Sequence, residues 1–302
     1  MTADEIHRFG VTYLNELKAQ REALALQIAP HHSVGAILQM IERKAPPTFQ
    51  DALAFTKISM DAARTFVRER QLATIYPEDT LLVEETPAFL TPVIPFAALI
   101  MPAKFDSPQI GIYLVTRPKD STNLGRHLNY AALKVTAVHE AFLGHFVQGA
   151  ISNRGSFIRL LAKGIETTEG WAFYCEEMMT DAGFLTDLET RFMQVNDMIW
   201  RAIRIIVDVQ LSRGEMTVDE AVHLLMVETG MSEAVATAEL TWYTQKPGYP
   251  LSYLLGKHLL LQLKENLQQQ WGDAFNPRAF HDTITANGYL PIALLRKVFN
   301  SP

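Results

Sequence analysis

The 302-residue chain has a single cysteine, Cys175, so neither an internal disulfide framework nor a cysteine-only metal site can form. It has no dense basic run. Its 27 Lys and Arg are outnumbered by 33 Asp and Glu, a formal charge of −6, which leaves no electrostatic footprint for nucleic acid. Long hydrophobic runs are missing too. The most apolar stretch, residues 90–103, is interrupted by Pro92 and Pro102 and falls short of the roughly 18 residues that a membrane span needs. The opening Met1-Thr2-Ala3-Asp4-Glu5 lacks the basic-then-apolar layout of a secretory signal. No repeat, low-complexity tract or long linker divides the chain. These absences predict a soluble, cytoplasmic protein with no nucleic-acid or membrane partner; its oligomeric state leaves no mark in the sequence. The 48% hydrophobic and 20% charged residues supply enough apolar material for a folded core.

Helical patterns dominate. Thr2 and Glu5 form a capping box ahead of the stripe Ile6, Phe9, Tyr13, Leu14 and Leu17, which predicts a first helix ending near Pro30. Residues 33–44 and 48–74 predict two more. Segments 81–83, 97–101 and 110–115 are short, apolar or β-branched and bounded by Pro, Asp and Ser, so they read as three strands. Helices are then expected over 128–147, 168–181, 188–213, 217–228, 232–245, 251–271, 277–286 and 291–299, punctuated by Thr217 with Glu220, Pro277, Pro291, Gly230 and Gly288. The expected fold is α+β, predominantly helical. It is one domain over residues 1–302, with a helical part (1–75), a small antiparallel sheet (76–120) and a second helical part (121–302).

The segment Val138-His139-Glu140-Ala141-Phe142-Leu143-Gly144-His145-Phe146-Val147-Gln148 is where chemistry is concentrated. A helix that gives two ligands to a catalytic zinc needs two neutral imidazoles aimed at one point. It also needs a carboxylate beside the first to take a proton from the attacking water. His-Glu-x-x-His meets this because residues four apart on a helix differ by only about 40° in direction. Here four residues separate Glu140 from His145. On an unbroken helix, positions six apart lie roughly 120° round and about 9 Å along from each other. Gly144 is the place where a widened turn or helix end would swing His145 back toward His139. Without such a break the two histidines are unrelated, partly buried side chains. Further on, Thr168-Glu169-Gly170-Trp171 offers a third ligand in Glu169, followed by a glycine that lets another backbone approach closely. Glu176, seven residues later on the same face, is placed to orient a histidine. The alternative for Glu169 is an ordinary acid at a helix N-terminus, favoured by the dipole.

The run His-Glu-Ala-Phe-Leu-Gly-His-x-x-Gln, followed by Glu-Gly-Trp-Ala-x-Tyr, resembles the bacterial domain of unknown function 885 family. That family is grouped with the thermolysin-like, gluzincin-type metallopeptidases, whose zinc is held by two His and one Glu. Residues 3–10, 83–89, 201–208, 247–253 and 280–291 resemble the family as well. The likeness therefore spans essentially the whole chain, as the catalytic C-terminal half of longer members. It implies a zincin-like metallopeptidase domain with the sheet beside the active-site helix and one Zn per chain. His139, His145 and Glu169 would be the metal ligands and Glu140 the general base. Two departures stand out. Leu143 occupies a position where the family commonly has Pro, and Val209-Gln210-Leu211-Ser212 replaces a stretch that contains a histidine. The expected function is a zinc-dependent hydrolase acting on a peptide or small amide. Two rivals stay open: a member of the fold that binds a ligand or partner without turnover, and a zinc amidase or esterase with a non-peptide substrate.

Four further residues are candidates for the site. Arg201 and Arg204 lie three apart on an otherwise apolar helix. Each either pairs with a buried acid, Asp208 being the obvious one for Arg204, or faces a cleft, where a guanidinium suits a peptide's C-terminal carboxylate. Tyr249 joins them as a substrate-binding candidate. Tyr253 is the candidate donor to a developing oxyanion, against the alternative of a ring packed in the core. His281 beside Asp282 reads as a structural histidine and Cys175 as a small buried hydrophobe.

Overall fold

The computed structural model describes residues 1–94, 96–118 and 124–300. Three helices open the chain: α1 (Ala3–Ile28), α2 (Val34–Glu42) and α3 (Phe49–Glu69). Each begins on a hydroxyl cap. Thr2, Ser33 and Thr48 accept from the backbone N–H three residues on, and Glu5 and Asp51 complete capping boxes at the first and third.

The sheet comprises β1 (Thr80–Glu85), β2 (Ala97–Ile100) and β3 (Ile110–Val115) in the order β1-β3-β2. β2 and β3 form an antiparallel pair, Ala97 opposite Val115 and Ile100 opposite Ile112. β1 pairs with β3 in parallel, Thr80 opposite Ile110 and Glu85 opposite Val115. The sheet is therefore mixed, not the antiparallel one the sequence suggests. Burial explains which strand takes the centre. β3 buries Tyr113, Leu114 and Val115, whereas β1 and β2 have no fully buried residue. The most buried strand sits where both edges are paired, and the strands with more exposed side chains flank it.

The expected helix over 128–147 is broken. α4 (Leu124–Leu128) and α5 (Tyr130–Thr136) lead into a π-helical turn (Ala137–Ala141), and after a gap α6 (His145–Arg154) begins. A short α7 (Phe157–Leu160) follows; neither it nor α4 has a signature in the sequence pattern. The remaining helices are α8 (Ile165–Asp181), α9 (Leu188–Arg213), α10 (Val218–Thr229), α11 (Glu233–Gln245), α12 (Ser252–Trp271), α13 (Pro277–Ala286) and α14 (Ile292–Phe299).

Two apolar clusters share α8. One joins Tyr113 of the sheet to Val138, Phe146, Trp171 and Phe280. The other packs Ile199, Ile203 and Ile206 of α9 against Leu14 and Leu17 of α1, with Phe173 of α8 beside them. Burying side chains of this size contributes about 1.5–3 kcal/mol each, so α8 is held firmly on two sides. It also crosses α12 in near backbone contact. A Cβ on Gly170 would stand 2.4 Å from the Gly256 carbonyl carbon, and one on Gly256 would stand 1.9 Å from the Glu166 carbonyl oxygen. That close approach sets the start of α12 and the turn before it next to Glu169. Among the described residues, no helix is long and apolar enough to cross a membrane.

Candidate metal centre

The break that the ligand spacing requires lies between Phe142 and His145. The Phe142 N–H donates to the Ala137 carbonyl (3.2 Å) and the Gly144 N–H reaches back to that of Val138 (3.0 Å), wider loops than the α-helical one. The Phe142–Leu143 peptide bond is cis. The fold-back is tight. A Cβ on Gly144 would lie 1.8 Å from the His139 carbonyl oxygen and 2.4 Å from the Val138 one. α8 pins the turn from beneath, because the Leu143 carbonyl accepts from Trp171 Nε1 (3.0 Å) with Cys175 Sγ at 3.6 Å. The result is that the His139 and His145 rings stand 4.9 Å apart at 88°, although six residues separate them in sequence.

Glu169, from the second turn of α8, completes the cluster. Ligand atoms of His139, His145 and Glu169 all lie within 4.8 Å of one another. His145 Nε2 is 3.5 Å from Glu169 Oε2; a tetrahedral site with bonds of about 2.0–2.1 Å has an edge of roughly 3.4 Å. The partners of these groups leave the right atoms free. His139 Nδ1 is 2.7 Å from Glu176 Oε1, and an Nδ1–H donated there directs the Nε2 lone pair to the cluster. The Tyr249 hydroxyl donates to Glu169 Oε1 (2.5 Å), leaving Oε2 toward His145. Two imidazoles and a carboxylate with these orientations fit a zinc ion.

The electrostatics suit a cation. Burial, reinforced by the neighbouring His145, holds His139 down to about 4, so it is neutral at physiological pH. Burial alone would also lower His145, but the Glu169 carboxylate outweighs it and raises the imidazole to about 9. Burial pushes in the opposite sense on Glu169, and its bond and charge interaction with His145 prevail, holding it down to about 2. A positive charge between these groups is thus already favoured.

An open cleft of about 380 Å³ exposes the cluster. Glu140, Arg201, Arg204 and Tyr253 line it with the three candidate ligand residues. Arg204 does not pair with Asp208, as its place four residues earlier suggests. Its Nε donates to the Tyr243 hydroxyl (2.8 Å) and its Nη2 to Glu239 (2.9 Å). Asp208 instead accepts the backbone N–H groups of Gly248 (3.0 Å) and Leu251 (3.3 Å), fixing the turn before α12. The Tyr249 hydroxyl is committed to Glu169, so Tyr249 tethers a candidate ligand, whereas it is Tyr253 that lines the cleft. His281 is structural: buried, with Nε2 against the Tyr174 hydroxyl and Nδ1 against the Leu72 carbonyl, both at 2.7 Å. Cys175 is fully buried.

The family model described as bacterial protein of unknown function (DUF885) matches residues 1–298. The chain belongs to the DUF885 family. No curated protein matches it. Among solved structures, a "putative lipoprotein" from Colwellia psychrerythraea superposes with a TM-score of 0.89 at 24% identity, over 99% of this chain and 52% of that one. A "putative lipoprotein of unknown function" from Shewanella oneidensis gives 0.88 at 22% identity, over 100% of this chain and 57% of that one. The chain thus spans a little over half the length of these two relatives and shares their fold.

Of the two departures from the DUF885 pattern, one sits in the turn and one outside the cleft. Leu143 is buried, and its carbonyl is the atom that Trp171 holds. None of residues 209–212 lines the cleft. Sequence reasoning did not single out Gln148, Thr168 and Tyr289, which line it as well. Gln148 was within reach, since three residues after His145 on a helix is the same face. Tyr289 comes from the loop before α14 and carries no local signal.

Proposed function

We propose that this DUF885 protein is a zinc-dependent hydrolase, gluzincin-like in its ligand set and zincin-like in fold, acting on a peptide or small amide. The reading is carried by the convergence of His139, His145 and Glu169 within 4.8 Å on a cleft that Glu140 also lines. A zinc ion held there supplies Lewis acidity and lowers the pKa of water. The rest falls to the chain. As acceptor of the His139 Nδ1–H, the Glu176 carboxylate would hold His139 in the ligating tautomer, and Tyr249 aims Glu169. Glu140 accepts the proton of the attacking water and returns it to the leaving nitrogen. Burial pushes the Tyr253 phenol up to about 12, so it stays protonated and donates to the developing oxyanion. β2 is an edge strand whose Leu99 lines the cleft, which suits an extended peptide added along that edge.

Elemental analysis of protein purified without chelator tests the reading. One zinc per chain is expected, with peptide cleavage lost on chelation and restored by zinc. Glu140→Gln should keep the metal and lose about 10²- to 10⁴-fold in turnover. A metal-free chain with no cleavage on adding zinc overturns the hydrolase and favours a ligand-binding member of the fold. A screen over dipeptides, blocked peptides and N-acyl amino acids separates a peptidase from an amidase or esterase.

A further inference from the structure

The cleft is lined by a guanidinium, that of Arg201, whose charge is paired but whose hydrogen-bonding capacity is not filled. Arg201 Nε and Nη1 are buried and have no hydrogen-bond partner; the nearest acid, Asp197, has its Oδ1 3.7 Å from Nη1, beyond bonding reach. Arg204 also has a buried Nη1 without a partner, but its other two nitrogens are spent on Tyr243 and Glu239. A buried donor without a partner costs roughly 1–3 kcal/mol, and Arg201 is the guanidinium of the cleft wall with most of its donors unspent. Arg201 is also held in place. Its guanidinium carbon lies 3.9 Å from the Trp200 ring centre and 5.0 Å from that of Phe173. A flat, immobilised guanidinium at the cleft wall matches a carboxylate, which accepts from its N–H groups with charge assistance.

The position of that guanidinium fork relative to the metal ligands restricts the substrate. The Phe173 ring centre is 5.0 Å from the Arg201 guanidinium carbon and 5.1 Å from the centre of the His139 ring. The fork and the ligand ring are therefore at most about 10 Å apart. An extended residue spans about 3.3–3.6 Å, and contacts at both ends take up the rest, so one or at most two residues fit between.

We propose that the cleft takes a substrate with a free α-carboxylate one or two residues beyond the scissile bond, with Arg201 as its anchor. This rests on the hydrolase reading and makes the enzyme an exopeptidase working from the C-terminus. In the reaction the C–N bond breaks, the water oxygen bonds to the carbonyl carbon, and the proton passes through Glu140 to the leaving amine. A C-terminal amino acid or dipeptide is released.

Calorimetric titration with N-acetyl-alanyl-leucine and its C-terminal amide, on both metal-free and zinc-loaded full chain, tests the anchor without depending on turnover. The free acid should bind about 10- to 100-fold more tightly than the amide. Arg201→Gln should bring the ratio close to one, and Arg201→Lys, which keeps the charge but not the fork, should retain part of it. The zinc-loaded enzyme should show the same ratio in KM. Equal binding of acid and amide by the wild type overturns the proposal, as does a preference that survives Arg201→Gln. The wild-type ratio needs no variant, so misfolding of a variant cannot shield the idea. If the acid is preferred but nothing is hydrolysed, the anchor stands and the hydrolase reading falls. If amides and interior bonds are cleaved as readily as terminal ones, the hydrolase stands and the anchor falls.

Discussion

Replacing Gly144 by alanine asks whether the fold-back sets the ligand geometry. The added methyl would start 1.8 Å from the His139 carbonyl oxygen and 2.4 Å from the Val138 one. Close carbon–oxygen contacts lie near 3.3 Å, so the His139 carbonyl must retreat by about 1.5 Å. Both obstructing atoms are backbone, and no side chain can swing aside to absorb the shift. The retreat sacrifices the Gly144 N–H bond to Val138 and the Trp171 bond to the Leu143 carbonyl. Two buried bonds left unmade cost roughly 1–3 kcal/mol each, a total of about 2–6 kcal/mol. A chain of this size loses about 2 °C per kcal/mol, so the melting temperature should fall by about 4–12 °C. The metal suffers more. Coordination tolerates errors of about 0.2 Å, and a displaced His145 leaves a two-ligand site, so zinc affinity should drop by more than the roughly 100-fold that marks the loss of an orienting group. Differential scanning calorimetry and competition with a chromophoric chelator measure the two effects. A Gly144→Ala protein with wild-type melting temperature and zinc affinity would refute the view that this turn closes the six-residue spacing.

Three other outcomes are expected. Glu169→Ala should weaken zinc binding more than Glu176→Ala, whose loss should be about 10- to 100-fold because it only orients His139; the reverse ranking in chelator competition would make Glu176 the third ligand. Tyr249→Phe removes the 2.5 Å bond to Glu169 and should cost about 10-fold in zinc affinity with the circular dichroism spectrum intact, whereas an unchanged affinity would show that the tether is dispensable. Burial holds His281 down to about 4, so the folded protein resists a proton that the unfolded imidazole takes up near 6.5. Stability from this residue is complete above about pH 6.5 and drains away as the pH falls toward 4, by up to about 3 kcal/mol. His281→Gln should flatten urea-derived stability across that window, and an unaltered slope would rule the histidine out as its source.

Local signals in the sequence mark many element ends. The bounds of β3, α9 and α13 coincide with their patterns because caps, prolines and β-branched runs act within a few residues. The break before His145 was legible for a similar reason: two ligands six apart on one helix demand it, and a glycine stood at the right place. Pairings between distant segments were another matter. The parallel partnership of β1 with β3 depends on which strand is most buried in three dimensions. Arg204 found Glu239 and Tyr243 on α11 in preference to Asp208 on its own helix, because the Asp208 carboxylate was already taken by the turn at Gly248. Tyr253 lines the cleft as expected, but Tyr249 holds Glu169 in place of substrate, because the Gly170–Gly256 crossing, invisible in the chain order of either helix, sets its hydroxyl beside that carboxylate.

Helix α8 supplies Glu169 to the cluster, Trp171 to the Leu143 carbonyl and Glu176 to the His139 ring. Those contacts span seven residues of one helix, about 10 Å of axial rise. They therefore fluctuate together. A thermal slip of α8 along its axis carries the acid, the peg under the turn and the hold on the first histidine in the same direction. The relative placement of the donors is thus less noisy than three separately tethered side chains would make it. The zinc ion proposed for this cluster would have little ordering entropy left to overcome.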